Sequence, residues 1–299
     1  MEEKLKYLKP EILSTVSSME LRAKFVVEGF LTGLHKSPYH GFSVEFSEHR
    51  QYLPGDDLRK LDWKILAKTD RFYIKQFEEE TNLAAHIFID TSASMGYASE
   101  KNKITKLKYA AYLAASLSYL MNKQKDAVGL GLYDSKLHKY LSPKTSKTHL
   151  NILLSELENM IPSQNTNAAV AIGPYIEKIK RKGLIILISD LFDSEENTFK
   201  LFKQLRYNGH EVIIFQILDD QEVEFEFTKN TNFIDLESTE RIITSPIQIK
   251  TEYKRAVENY LSKIKTNCYQ HKIDYSLIKT STTFDVALLQ YLNKREQLN

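Results

Sequence analysis

Two apolar segments of this chain each end in an aspartate, and this pattern limits the folds that the chain can adopt. Residues 84–89 precede Asp90, and residues 184–188 precede Ser189 and Asp190. Short apolar runs of this kind are typical of buried strands. The second run is almost continuously apolar, as expected where helices cover both faces of a sheet. The pattern therefore predicts buried strands that carry a carboxylate at their C-terminal ends.

The chain from residue 84 onward alternates between strand patterns and helix patterns. The predicted helices cover residues 103–123, 149–160, 168–182, 195–208, 251–271 and 283–294. The predicted strands, besides the two apolar runs, cover residues 126–133, 137–141, 211–218 and 273–278, with a short hairpin of 233–236 and 241–244. Such alternation favours the α/β class, with a Rossmann-like, mostly parallel central sheet and helices on both faces.

The first eighty residues follow a different pattern. Their predicted elements are a helix, a strand and a short helix, over residues 19–34, 42–46 and 58–68. The stretch from 35 to 57 is rich in turn-forming residues. A segment this short and turn-rich could hardly bury a core of its own. We therefore predict an N-terminal extension, residues 1–80, that packs on a main domain formed by residues 81–299.

Composition argues against several functional classes. The net charge of +2 does not indicate binding to nucleic acid or to an anionic membrane surface. Cys268 is the only cysteine, so the chain can form no internal disulfide, and we expect this thiol to be a small buried residue in a helix. The chain has no apolar signal segment and no stretch of 18 apolar residues. We expect a cytoplasmic protein without a transmembrane segment.

Oxygen-bearing side chains gather beyond the two predicted strands. Asp90, Ser92 and Ser94 alternate along one loop. In an open parallel sheet, ligands bind beyond the carboxyl ends of the strands, so Asp190 is expected to face the same crevice. Thr166 precedes a predicted helix and can add a further hydroxyl. Oxygen ligands without Cys or His suit Mg2+ or Mn2+, so these five residues are candidate ligands of one octahedral ion.

The same residues also have an explanation that needs no metal. Serine and threonine after a strand often cap helices or turns. A buried aspartate can accept hydrogen bonds from backbone N–H groups. Nearby helix N-termini disfavour a cation, so only the two carboxylates supply compensating negative charge. The pattern by itself leaves both a metal site and a structural loop open.

Two sets of residues resemble known families. The Asp-x-Ser-x-Ser motif of residues 90–94, with Thr166 and Asp190, is similar to the metal-ion-dependent adhesion site of von Willebrand factor A domains. Gly-Phe-Ser-Val-Glu-Phe at 41–46 and Arg-Gln-Tyr-Leu-Pro-Gly-Asp-Asp at 50–57 resemble the bacterial family called domain of unknown function 58. This resemblance extends over about residues 21–295. It implies a von Willebrand factor A-like fold with an intact Mg2+ or Mn2+ site.

The family resemblance also implies a partner. Members of that family are often encoded beside MoxR-type AAA+ ATPases. The chain is thus expected to be an adaptor or co-chaperone that binds such an ATPase or its client. The partner would present an acidic side chain that supplies the missing oxygen of the ion. Loop residues 50–63, which end at Trp63, are expected to pack on the main domain, and a partner surface is the alternative.

Enzymatic interpretations have less support. The haloacid dehalogenase pattern requires a second aspartate where this chain has Ser92. The chain contains neither a Gly-x-Ser-x-Gly nucleophile motif nor a phosphate-binding Gly-x-x-x-x-Gly-Lys-Ser/Thr loop. We therefore expect a non-catalytic protein. Two alternatives stay open: a metal-dependent phosphohydrolase that uses the same oxygens, and a scaffold whose site is empty.

Overall fold

The computed structural model describes residues 10–34, 49–51, 73–75, 83–99, 104–163, 167–227, 231–234, 236 and 241–298. The strands are β1 (His49–Gln51), β2 (Tyr73–Lys75), β3 (Ala84–Asp90), β4 (Ala127–Tyr133), β5 (Leu137–Lys144), β6 (Leu184–Ser189), β7 (Glu211–Leu218), β8 (Thr231–Ile234), β9 (Arg241–Thr244) and β10 (Asp274–Lys279). The helices are α1 (Pro10–Leu13), α2 (Met19–Leu34), α3 (Lys106–Lys123), α4 (Lys147–Glu158), α5 (Ala168–Ala171), α6 (Gly173–Ile176), α7 (Glu195–Leu205), α8 (Asp220–Glu224), α9 (Pro246–Gln270) and α10 (Asp285–Leu298).

The central sheet has six strands in the order β10-β7-β6-β3-β4-β5. Neighbouring strands run parallel except at one edge, where β5 is antiparallel to β4. The chain passes from β3 to β4 on one side and later places β6 on the other side of β3. The strand order therefore switches between β3 and β6, which is where open α/β sheets form their binding crevice. The predicted α/β class with a mostly parallel sheet is confirmed.

Side chains of the central strands point alternately into two apolar cores, as the strand repeat of two residues requires. On β3, Ile87 and Ile89 enter one core and Phe88 enters the other. Helices α2, α3, α4 and α10 cover the first face, and α6, α7 and α9 cover the second. The sheet is thus covered on both sides, as the continuous apolar run of β6 indicated.

One predicted helix is wrong. The sequence pattern indicates a single helix over 168–182. The structure instead contains the two short helices α5 and α6, and residues 177–182 form no regular helix. Pro174 lies in the first turn of α6. Proline has no N–H to donate and its ring clashes with the preceding turn, so a continuous helix cannot pass through this position.

Several other helix boundaries differ from the prediction by a few residues, and two of them have a plain physical reason. Helix α9 begins at Pro246 rather than at 251, because proline is well tolerated in a first turn. Helix α7 ends at Leu205, and Asn208 and Gly209 adopt left-handed backbone conformations with φ of 59° and 72°. They belong to a 3-10 turn, Tyr207–Gly209, that leads into β7.

The predicted helix of the N-terminal extension is confirmed as α2. Its residues Val26 and Val27 are buried in the same core as α3 and α4. Arg22 of α2 lies over the ring of Tyr112 in α3, at 5.2 Å from the ring centroid, and forms a 3.5 Å ion pair with Glu158 of α4. The division of the chain near residue 80 stays a prediction.

Several predictions for the extension lie outside the described residues. They concern the strand at 42–46, the helix at 58–68 and Trp63. Within the described residues, β1 and β2 form an antiparallel pair in which Arg50 lies opposite Ile74.

Two predictions from composition can be compared with the structure. Cys268 is fully buried in α9, as expected, and burial raises the pKa of its thiol to about 12. No helix in the described parts of the chain combines the length and the hydrophobicity that a membrane span requires.

Candidate metal centre

The two predicted carboxylates lie at the switch in strand order. Asp90 is the last residue of β3, and Asp190 directly follows β6, which is the parallel neighbour of β3. Both side chains are buried, with relative exposures of 1% and 0%. The structure thus brings together two residues that are a hundred positions apart in the sequence.

Hydrogen bonds from two neighbouring residues, Ser92 and Ser189, support the Asp90 carboxylate. The Ser92 backbone N–H donates to Oδ1 at 2.9 Å, and the Ser189 hydroxyl donates to Oδ2 at 2.8 Å. Burial, and after it the charge of Asp190, raises the pKa of Asp90 from 3.8 to about 7 despite these bonds. A cation bound at this carboxylate would favour its charged form and reverse that shift.

The two predicted serine ligands lie next to each other. Ser92 is fully buried, and its Oγ lies 3.1 Å from the Oγ of Ser94. A 3-10 helix, Ala93–Gly96, turns the chain directly after Ser92 and brings the two hydroxyls to one side. Ser92 makes no side-chain cap bond to this helix. The capping role that the sequence left open therefore does not account for its hydroxyl.

Asp190 is held by its surroundings through both its side chain and its backbone. Its Oδ1 accepts a hydrogen bond from Phe192 N at 3.1 Å, and its carbonyl accepts one from Gln216 Nε2 at 2.8 Å. The next residue, Leu191, has a φ of 58°, which is uncommon for a residue with a branched side chain. Tyr260 donates a hydrogen bond to the Leu191 carbonyl. A strained turn held this firmly is typical of a functional site.

Lys106, the first residue of α3, lies at this site but is not among the residues that the sequence predicts for it. Its side chain is fully buried, and its Nζ lies 2.8 Å from Asp190 Oδ2 and 2.7 Å from Glu222 Oε1. The ring centroids of Phe192 and Tyr97 are 5.0 and 6.0 Å from the same nitrogen. Burial alone would lower the pKa of Lys106, but the charges and hydrogen bonds of the two carboxylates outweigh burial and raise it.

Thr166 lies outside the described residues, but the residues on either side of it are anchored at this end of the sheet. Ser163 N donates to the Thr91 carbonyl at 2.7 Å, and Ser163 Oγ donates to Asp134 Oδ2 at 2.7 Å. On the other side, Asn167 N donates to the Asp134 carbonyl at 3.3 Å. Asp134 directly follows β4, the other neighbour of β3. The position of Thr166 as a fifth ligand stays a prediction.

The chemistry of the donor set fits a small hard cation. In the described ranges no group of three or more His, Cys, Asp or Glu side chains could hold a metal, so an ion here would depend on hydroxyl oxygens. The Ser92 hydroxyl lies beside Asp90 and next to the Ser94 hydroxyl, and Asp190 lies at the end of the neighbouring strand. Oxygen ligands of this kind suit Mg2+ or Mn2+. The buried hydroxyl of Tyr133, beside Asp90 and Ser189, makes no hydrogen bond of ordinary geometry. Such an unmet polar atom favours a further ligand or water in the crevice.

Residues 48–262 match the family model described as "Protein of unknown function DUF58", and this match covers most of the chain. The chain therefore belongs to the DUF58 family, which confirms the resemblance seen at residues 41–57. The relatives include two mycobacterial proteins described as uncharacterized, Rv1480 of Mycobacterium tuberculosis and Mb1516 of Mycobacterium bovis. Each is 26% identical over 218 residues, which is 72% of this chain and 68% of the relative.

Solved structures with some similarity include the conserved hypothetical protein BatB from Bacteroides thetaiotaomicron and the SpRpn10 VWA domain. BatB has a TM-score of 0.45 and 17% identity, with 71% of this chain and 98% of that chain covered. The SpRpn10 domain has a TM-score of 0.40 and 14% identity, with coverages of 70% and 94%. Similarities this low assign no function to the present chain.

Proposed function

We propose that this DUF58 protein is a non-catalytic adaptor that binds a protein partner through a divalent metal, Mg2+ or Mn2+. Asp90, Ser92, Ser94, Thr166 and Asp190 are its proposed ligands. The partner is a MoxR-type AAA+ ATPase, or a client of that ATPase, with the protein acting as a co-chaperone. The membership of the chain in the DUF58 family supports this choice of partner.

One observation carries the proposal: the buried Asp90 and Asp190 lie at the ends of neighbouring strands at the switch in strand order, and two adjacent serine hydroxyls follow Asp90. The Ser92 and Ser94 hydroxyls would hold the ion, and Asp90 and Asp190 would balance its charge directly or through water. The bound ion would act as a Lewis acid that attracts a carboxylate from outside. Because the hydroxyl ligands are neutral, the ion keeps enough positive charge to bind an acidic side chain of the partner.

A metal-free scaffold is the second candidate, and Lys106 favours it. The Lys106 ammonium already places a positive charge 2.8 Å from Asp190. In this alternative the lysine is the resident cation, and partner binding is independent of divalent ions. Chelation therefore separates the two candidates directly.

The test measures binding of the immobilised protein to a purified MoxR-type ATPase from the same organism, in Mg2+ and in EDTA. We expect binding in Mg2+ that is lost in EDTA and in Ser92→Ala. This substitution removes a hydroxyl but leaves the backbone N–H that supports Asp90. Ser155→Ala, at an exposed position of α4, is the matched control and should bind like the wild type. Binding in EDTA that is as strong as in Mg2+, for both the wild type and Ser92→Ala, would favour the scaffold.

A phosphatase assay tests the non-catalytic part of the proposal. With millimolar Mn2+ and p-nitrophenyl phosphate, we expect no turnover above background, because the oxygens are committed to the ion. Metal-dependent turnover that disappears in Asp90→Asn would contradict the adaptor proposal. It would instead support a phosphohydrolase that uses the same residues.

A further inference from the structure

The buried lysine at the start of α3 is unusual for its position. A cation at a helix N-terminus is disfavoured by the helix dipole, and a fully buried ammonium also loses its hydration. Lys106 nevertheless begins α3, directly after the capping residue Thr105. Among the described residues, its ammonium donates hydrogen bonds to Asp190 and Glu222, which belong to different parts of the fold. A hydrophobic residue would fill the same space without these costs, so packing does not explain the lysine.

Glu222 is fixed independently of the lysine. It lies in α8, where its Oε2 accepts a hydrogen bond from Asp219 N at 2.7 Å and completes the capping box of that helix. The Glu222 carbonyl accepts a hydrogen bond from the Tyr253 hydroxyl of α9 at 2.9 Å. The ammonium is therefore held between two carboxylates whose positions are set by other parts of the fold.

The charges of this cluster leave room for a divalent ion. Asp90, Asp190 and Glu222 carry three negative charges when ionised, and Lys106 carries one positive charge. The formal balance is thus −2, which a single divalent cation would neutralise. Without the lysine the balance would be −3, and the site would attract a divalent ion more strongly.

We propose that Lys106 lowers the affinity of the proposed metal centre for a divalent ion. The ammonium occupies one oxygen of Asp190 and weakens the electrostatic attraction between this carboxylate and the metal. The ion is then retained firmly only when an acidic partner adds its own charge, so metal and partner bind cooperatively. This inference rests on the proposed metal-dependent function and adds the way in which the site is regulated.

Three variants test the inference with Mn2+ alone. Lys106→Met keeps the length of the stem but removes the charge, and Glu222→Gln removes the opposing charge while keeping the shape. We expect Lys106→Met to bind Mn2+ at least about tenfold more tightly than the wild type and Glu222→Gln at least about tenfold more weakly. The double variant should return to within a few fold of the wild type. Lys108→Met, at an exposed position two residues along α3, is the matched control and should leave the affinity unchanged.

The measurement is isothermal titration calorimetry at pH 8, with thermal melts in EDTA as a second readout. In EDTA, Lys106→Met should have a lower melting temperature than the wild type. Added Mn2+ should raise the melting temperature of this variant by more than it raises that of the wild type. A purely structural lysine would give the lower melt with unchanged or weaker Mn2+ binding, and that result overturns the inference. Should Lys106→Met not fold, unchanged affinity in Glu222→Gln overturns it equally. Absence of Mn2+ binding in the wild type would contradict the proposed metal site itself, and the inference with it.

Discussion

Strand β3 carries a buried titratable side chain near each end, and the two behave in opposite ways. Near the start, His86 lies parallel to the ring of Tyr140 and its Nδ1 is 2.8 Å from the Tyr140 hydroxyl. Burial, followed by the charge of His210, lowers the pKa of His86 to about 4. At the end of the strand, burial and then Asp190 raise the pKa of Asp90 to about 7. In both places burial favours the neutral form.

The surroundings of the two side chains differ in the charges that they contain. The neutral imidazole of His86 is satisfied by one tyrosine and needs no further charge. At the Asp90 end the fold instead collects the buried Asp190 and Lys106 and the partly buried Glu222 in one charged cluster. Burying several charges together is costly, and such clusters are concentrated at functional sites. We therefore infer that the proposed site lies at the C-terminal end of β3 and that His86 serves packing at the other end.

The largest expected effect is at Asp90 in the absence of metal. Because the pKa of Asp90 is raised, the contribution of this residue to the free energy of unfolding is full below pH 3.8. That contribution is lost as the pH rises from 3.8 through about 7. Asp90→Asn removes this loss, so we expect the free energy of unfolding in EDTA to rise by about 4 kcal/mol at pH 8 and by about 2 kcal/mol at pH 5. Urea unfolding at the two pH values measures both. An unchanged stability at pH 8 would contradict the account.

The effect at the other end of β3 should be slightly smaller and of opposite sign. The lowered pKa of His86 means that its stabilising contribution is full above pH 6.5 and is lost as the pH falls through about 4. We expect His86→Gln to remove an acid-induced loss of about 3 kcal/mol between these values. Urea unfolding from pH 6.5 to 4 measures this loss. The comparison breaks if His86→Gln remains as acid-sensitive as the wild type.

The affinity for Mn2+ should depend on pH because the ion must displace the proton of Asp90. Below pH 7 we expect the association constant to fall by about tenfold for each pH unit, which is about 1.4 kcal/mol, and above pH 8 to level off. Calorimetry in two buffers of different ionisation enthalpy would count the released protons. Asp90→Asn should lose the dependence. A pH-independent affinity in the wild type would remove Asp90 from the site.

The smallest expected effect is on the flank of the site, at Asp134. Asp134→Asn weakens the hydrogen bond from Ser163 Oγ and the one from Lys136 N, at a cost of about 1–2 kcal/mol in the free energy of unfolding. Because Thr166 lies between Ser163 and Asn167, Mn2+ affinity should also fall a few fold. The same calorimetry and urea experiments apply. Lower stability with an unchanged affinity would argue against Thr166 as a ligand.

The central sheet, the two aspartates and the two serines of the candidate site could be predicted, because each follows from a local sequence pattern. The apolar runs that end at Asp90 and Asp190 predict two strands. Because the strands are parallel, the runs also predict that both carboxylates lie at the same end of the sheet. The two serines follow from the motif after β3. Pro174, by contrast, is visible in the sequence and lies inside the helix predicted over 168–182, which the structure divides.

Lys106 could not have been predicted from the sequence. Its two partners are 84 and 116 residues away along the chain, so no local spacing connects them. A lysine in the first turn of an amphipathic helix is ordinarily exposed, since lysine is rarely buried unless it is paired. The hydroxyl of Ser189, which supports Asp90, was likewise hidden at the end of an apolar strand.

The central claim is that the C-terminal edge of β3 and β6 binds a divalent cation. Crystals grown with Mn2+ test it directly, because anomalous scattering locates manganese independently of any assumption about its ligands. We predict an anomalous peak within coordination distance of the Ser92 and Ser94 hydroxyls, between Asp90 and Asp190. A map that shows only Lys106 and water at this edge, or manganese solely elsewhere, would contradict the account.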